Sequence, residues 1–298
     1  MKQIAYLILA HADPHHFGKL VTALGNKCDI YVHVDKSSDI LPFRSIVQND
    51  NVTFIDKRIR VSWAGISVID ALVELMKQAI QKKEKYTHLV MLSGSCYPIK
   101  RVDEIERIYL DNPHKEFIKF INMTESPEHY LRHIKKKWFK EPFLKSNGKF
   151  LRTIDKIIRR SLNIVGLKNK WDDKIIPYFG STWCALSVNC CQYILEYQLN
   201  NPWFKVMNYF TFSPDEHYFH TIIGNSKFKN QSDGVQPYKG GGTWRLANFH
   251  IIDKSLAKWY AIDDWDEIKN SDKLFVRKIR TLDGLSLITR IDNDILNI

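Results

Sequence analysis

Tyr86-Thr87-His88-Leu89-Val90-Met91-Leu92-Ser93-Gly94-Ser95-Cys96-Tyr97-Pro98-Ile99 reads as two unlike halves. Tyr86 to Leu92 is a short apolar run of the length and make-up of a buried strand. Ser93 to Ile99 is built of small residues and reads as a loop leaving the strand's C-terminal end. In an open α/β sheet, ligands bind outside such ends. The stretch therefore supplies a central strand and the edge on which a site is expected.

Working outward, residues 4–10 form an apolar strand that ends in the turn His11-Ala12-Asp13-Pro14. Phe17, Leu20, Val21 and Leu24 follow at helical spacing. A second strand, Asp29 to Val34, ends at Asp35-Lys36-Ser37-Ser38, with a helix near 40–48 and a short strand at 52–55 after it. This βαβ rhythm predicts an α/β fold with a mainly parallel central sheet flanked by helices. Trp63-Ala64-Gly65-Ile66-Ser67 opens a long helix whose apolar stripe is Val68, Leu72, Leu75, Met76 and Ala79. Further on, 116–121 and 180–187 read as strands, the second carrying Trp183. Lys239 to Arg245 reads as a flexible loop, 262–268 as a helix, and 273–280 as the closing segment. Neither a G-x-G-x-x-G nor a Walker A string occurs, which argues against dinucleotide and P-loop sites.

The 298 residues are read as a single domain, 1–298, with an insert at 131–171. A composition 44% hydrophobic and 12% aromatic is that of a globular chain. No run of about 18 apolar residues suggests a membrane span. The first strand is too short and too soon polar for a signal peptide. Five cysteines without C-x-x-C spacing read as buried free thiols in a reducing compartment. Cytoplasm is the expected location. The window 131–171 holds thirteen Lys and Arg against two acids, Glu141 and Asp155, and this balance equals the whole chain's net charge of +11. The basicity is therefore local. Within the window, Leu151 to Val165 reads as a basic amphipathic helix, either a solvated face or a dock for an anionic membrane or acceptor. No nucleic-acid-binding motif accompanies it, so no nucleic-acid partner is expected.

Phe212-Ser213-Pro214-Asp215-Glu216-His217-Tyr218-Phe219-His220 reads as a helix start. Ser213 is the N-cap, Pro214 the first helical residue and Glu216 the third, which is a capping box. Glu216 is thus either a capping carboxylate or a general base held rigidly at a cleft. Asp215, about 100° around the helix from it, reads as structural. His217 and His220 lack an obvious third metal ligand and read as packing residues.

Six strings in this order carry a resemblance: Ala5-Tyr6-Leu7-Ile8-Leu9-Ala10-His11, Val32-His33-Val34-Asp35, Trp63-Ala64-Gly65-Ile66-Ser67, Leu92 through Lys100, Ser213-Pro214-Asp215-Glu216, and Leu274-Phe275-Val276-Arg277-Lys278. The chain resembles the core-2/I-branching β-1,6-N-acetylglucosaminyltransferase family, which also contains peptide O-xylosyltransferases. The resemblance implies a GT-A-type glycosyltransferase fold and inverting, metal-independent transfer from a UDP-sugar. N-acetylglucosamine is the first expectation for the sugar and xylose the alternative. It implies Glu216 as catalytic base, Arg277 and Lys278 as the holders of the donor diphosphate, Asp35 at the nucleoside and Trp183 near the acceptor. His11 and Ser93 are expected on the donor wall of the cleft. Lys258 aligns poorly as a second diphosphate contact. The animal relatives carry a membrane anchor and disulfides. This chain shows neither, so a bacterial-type cytoplasmic enzyme is expected, peripheral on the inner face of the membrane, acting on a glycan or lipid-linked acceptor. Thr182, where xylosyltransferases have an acid, speaks against peptide xylosylation.

The chemistry agrees with that expectation. One base must take a proton from the attacking hydroxyl, and the leaving nucleoside diphosphate needs positive charge. Two Asp-x-Asp strings, Asp264-Trp265-Asp266 and Asp292-Asn293-Asp294, do not follow a central strand and read as surface acids. Arg277 and Lys278 are left to supply the charge, so no metal cofactor is expected. A reading of another class is a glycan- or membrane-binding protein without turnover.

Overall fold

Four parallel strands lie side by side in the order β3 (Val52–Phe54), β2 (Asp29–Val34), β1 (Ile4–Ala10) and β4 (His88–Ser93). The computed structural model describes residues 3–82, 86–144 and 148–298. Every residue of β2 and β4 is buried, as a sheet covered on both faces requires. Alternate residues of β1 go to opposite faces. Tyr6 and Ile8 join Phe17 and Leu20 of the helix Pro14–Leu24. Ala5 and Leu7 join Leu72, Leu75 and Met76 of the helix Ser67–Gln81.

Beyond β4 the direction reverses. β8 (Ala185–Ser187), β6 (Glu116–Asn122) and β7 (Tyr178–Gly180) extend the sheet antiparallel, and β9 (Ser232–Val235) pairs parallel with β6. The expected parallel pattern holds for the first half only. The single strand expected over 180–187 is two short ones. The chain leaves β7 at Gly180, and Ser181–Cys184 lies between the two.

A second sheet sets the site. The expected loop Ser93–Ile99 contains β5 (Cys96–Pro98), which pairs antiparallel with β11 (Phe275–Arg277), itself parallel to β10 (His250–Ile252). The register places Arg277 opposite Cys96. The closing segment therefore comes back to the C-terminal end of the central strand.

Three other local expectations are corrected. Residues 214–216 form one 3₁₀ turn, and the helix proper is Tyr218–Gly224. Ser213 sits at φ 48°, and its side chain makes no cap bond, so the capping box does not form. The loop at 239–245 closes into a 3₁₀ turn, Thr243–Leu246, pinned where the Gly242 N–H donates to Tyr130 Oη at 2.7 Å. A helix over Thr281–Ile291, which the sequence reading did not foresee, follows β11.

Asp13 ties that last helix to the first. Its carboxylate accepts the His16 N–H (3.0 Å), the Thr281 N–H (2.6 Å) and the Thr281 hydroxyl (2.7 Å). Burial pushes the Asp13 pKa up, but the N–H donors of Thr281 and His16 outweigh it and hold the carboxyl below its ordinary value. The carboxylate form thus stabilises the fold above the ordinary value of 3.8, and this contribution is lost as the pH falls below it. Asp13→Ala is expected to cost about 1–2 kcal/mol at pH 7 by removing a cap at two helix starts. Urea unfolding measures it. A variant as stable as wild type would show that the cap contributes nothing.

Candidate active site

His11, Asp35 and Ser93 come together because three parallel strands end together. Ala10 pairs with Val34 and Leu9 with Ser93, and the Asp35 N–H donates to the Ala10 carbonyl at 2.8 Å. His11 is exposed at this edge, and its carbonyl accepts the Ser38 hydroxyl at 2.6 Å. The Asp35 carboxylate is buried. Its Oδ1 accepts the Ser37 N–H (2.7 Å) and the Ser37 hydroxyl, and its Oδ2 accepts the Val61 N–H (2.8 Å). Most of its acceptor capacity thus shapes its own loop, and Oδ2 keeps a lone pair free. A Cβ at Gly94 would sit 3.2 Å from the Ala10 Cβ, tight enough that the neighbouring strand would have to give.

Arg277 joins this edge to the rest of the site. Its Nε donates to Ser93 Oγ at 3.1 Å, and its guanidinium lies 4.7 Å from the centre of the Trp183 ring. Burial lowers the Arg277 pKa, while Cys96, Asp215 and Glu216 favour its charged form. Trp183 therefore lies against the cation expected to hold the diphosphate. Lys278 stands over Trp259 at 4.8 Å, and burial, then Arg277 and Arg280, lower its pKa.

Across from Arg277 stand two half-buried carboxylates. Asp215 Oδ2 accepts the Thr182 hydroxyl at 2.9 Å. Burial raises the Asp215 pKa. Glu216, freed from the cap, faces the Thr243 side chain. Its pKa is pushed up to about 8 by burial and then by the like charge of Asp215, with Thr243 and Arg277 opposing. The two acids titrate as a coupled pair beside one cation. Asp215, read from the sequence as structural, also serves the electrostatics of the site. A raised carboxyl in a cleft is the property of a general base or acid.

His217 is buried without a hydrogen-bond partner, and His220 Nε2 lies 3.1 Å from the Ser181 carbonyl. Among the described residues neither belongs to a cluster able to hold a metal ion. The reading of the Asp-x-Asp strings as surface acids holds for Asp266 and Asp294, which are exposed, and is corrected for Asp264 and Asp292, which are half-buried. Asp264 pairs with Lys258 at 2.5 Å, and Asp292 Oδ1 accepts the Tyr97 hydroxyl at 2.6 Å. Lys258 is thereby committed elsewhere. Thr243, Thr182 and Tyr130 are site residues that the sequence reading missed. Only the adjacent Gly240-Gly241-Gly242 run signalled a special backbone near Thr243.

The insert forms the other wall. Glu141 Oε1 accepts the Ser67 N–H at 2.8 Å, which caps the long helix, and a Cβ at Gly65 would collide with that carboxylate. Lys140 lies 4.8 Å from the ring centres of both Trp63 and Phe212. The helix expected over 151–165 spans Lys149–Val165. Lys145, counted in the basic window, lies outside the described residues.

A half-parallel sheet whose strand ends face a half-buried arginine and a carboxylate pair fits the GT-A glycosyltransferase type of α/β fold, and the family match agrees. The chain belongs to the Core-2/I-branching enzyme family, whose model matches residues 4–233. It is 24% identical over 279 residues to Xylosyltransferase oxt of Drosophila melanogaster, covering 88% of this chain and 30% of that protein. It is 24% identical over 234 residues to human Xylosyltransferase 2, covering 75% of this chain and 25% of that protein. The chain thus spans under a third of the length of these relatives. A solved apo structure of mouse xyloside xylosyltransferase 1 matches with a TM-score of 0.32 at 11% identity, over 74% of this chain and 81% of that one.

Proposed function

We propose that this chain is an inverting glycosyltransferase that moves a sugar from a UDP-sugar to a hydroxyl of a glycan or lipid-linked acceptor, without a metal. The observation that carries this is the pairing of Glu216, a carboxyl with its pKa raised to about 8, with Arg277 at the ligand edge of the sheet. Glu216 takes the proton from the acceptor hydroxyl. The hydroxyl oxygen attacks the anomeric carbon from the face opposite the leaving group, and the configuration inverts. The bond to the nucleoside diphosphate breaks, and Arg277 and Lys278 balance the charge it carries away. Asp35 meets the nucleoside through its free lone pair, Ser93 and His11 line the donor wall, and Trp183 lines the acceptor site.

N-acetylglucosamine is the sugar expected first. The names of the relatives favour xylose as the second reading. UDP release and thermal shift with UDP-GlcNAc, UDP-Xyl, UDP-Gal and UDP-Glc, with EDTA or Mn²⁺, decide between them. Donor stabilisation that survives EDTA supports metal independence. A strict Mn²⁺ requirement would overturn the role given to Arg277 and Lys278.

The proposed setting is the cytoplasm, at the inner face of the membrane. The helix Lys149–Val165 supports it, with Phe150, Ile157 and Ile164 lying 75%, 59% and 78% exposed along one line, and Lys149, Lys156 and Arg160 beside them. No helix among the described residues is long and apolar enough to cross a membrane. Ile157→Glu with Ile164→Glu is expected to lower binding to phosphatidylglycerol vesicles at least about tenfold, since both apolar area and charge balance are lost. Sedimentation measures it. Equal binding by wild type and variant would sink the membrane reading.

A further inference from the structure

Two cavities, of about 260 and 320 Å³, meet at Trp244 and Arg245. They flank the 3₁₀ turn that begins at Thr243, whose side chain faces Glu216. Residues 236–246 lie beyond the segment matched by the family model.

The walls of the first cavity are aromatic and fixed. Tyr130 stacks on Phe179 with ring centres 4.0 Å apart, and its hydroxyl accepts the Gly242 N–H. The Tyr238 hydroxyl lies 2.5 Å from His129 Nδ1. Trp244 has Arg245 at 4.3 Å and Lys254 at 5.3 Å from its ring centre. Flat rings at fixed positions suit the C–H faces of sugars and involve little ordering on binding.

The charge is one-sided. Lys239 and Arg245 line the first cavity, and Lys119, Arg245 and Lys273 the second. Among the described residues, Lys239, Arg245 and Lys119 have no carboxylate within ion-pair distance on this wall. Lys273 reaches only its neighbour Asp272, at 4.0 Å. Glu267 is the acid that faces the second cavity, and it lies near Tyr260. Burial and then the Lys273 charge lower the Lys119 pKa, with the Asp233 and Asp272 carboxylates opposing.

We infer that this trough is the acceptor site and that it takes an acidic oligosaccharide, sugar rings against Tyr130, Tyr238 and Trp244 and carboxylates at Lys239 and Arg245. The inference rests on the transferase reading for the role of the trough, but binding can be measured without turnover. Calorimetry on the full chain would compare a hyaluronan tetrasaccharide with chitotetraose, which lacks the carboxylates. Wild type is expected to bind the acidic sugar about tenfold more tightly, the worth of one charged hydrogen bond. Lys239→Gln with Arg245→Gln, both exposed and outside any ion pair among the described residues, should erase the preference, as should molar salt. Equal affinity for the two sugars, a preference that survives the double substitution, or binding of neither sugar would each overturn the inference. Acidic binding without UDP release from any donor would retain the ligand and reject the transferase.

Discussion

Replacing Glu216 by Gln is expected to lower sugar transfer about a hundred- to ten-thousand-fold, the range of a positioned general base, while donor binding persists. Gln keeps the shape but cannot accept the acceptor's proton. The pH profile adds a second readout. With the Glu216 carboxyl at about 8, kcat/KM in wild type should climb with pH and level off above that value. Burial is the larger cause of the shift and Asp215 the next, so Asp215→Asn should move the rising limb toward acid. Stability runs the other way. The folded state holds this proton more tightly than the unfolded state, whose carboxyl titrates near 4.5. The stability it contributes is full below 4.5 and is lost as the pH rises to about 8. Glu216→Gln cannot ionise and should therefore be at least as stable as wild type at pH 9. A Glu216→Gln variant with wild-type turnover would reject the base and revive a binding protein without chemistry.

Arg277→Ala should remove donor binding. Arg277 is held by Ser93 on one side and Trp183 on the other, with the two carboxylates beyond. Loss of a fixed charge at a leaving group costs about a hundred- to a thousand-fold in rate. Arg277→Lys should restore little, because an ammonium cannot keep the Ser93 bond and the flat contact with Trp183 together. Lys278→Ala, at a side chain resting on Trp259, should be milder. UDP-induced thermal shift separates these cases. An unchanged shift in Arg277→Ala would place the diphosphate elsewhere. The same substitution leaves Asp215 and Glu216 without their cation, so whatever activity remains should need a higher pH.

The parallel half of the fold was legible because β1, β2 and β4 are apolar runs of six or seven residues and amphipathic helices lie between them, each such unit being a local pattern. The antiparallel half was not. Three-residue strands such as Tyr178–Gly180 and Ala185–Ser187 are too short to show a period. At Ser213 the local rule itself misled. The Ser-Pro-Asp-Glu string predicts a capping box, yet Ser213 takes a left-handed conformation with its N–H on the Ala64 carbonyl at 3.1 Å. That turns Glu216 away from the cap and toward Thr243.

The order of short motifs in the sequence was enough to name the family, the candidate base and the candidate cation pair, because chemistry of this kind needs particular side chains. The tertiary structure alone decided that these groups face one another. Arg277 reaches Ser93 through the pairing of β11 with β5, and Glu216 reaches Thr243 across 27 residues of chain. Contacts of that range depend on strand register and on burial, and neither leaves a periodic trace in the sequence.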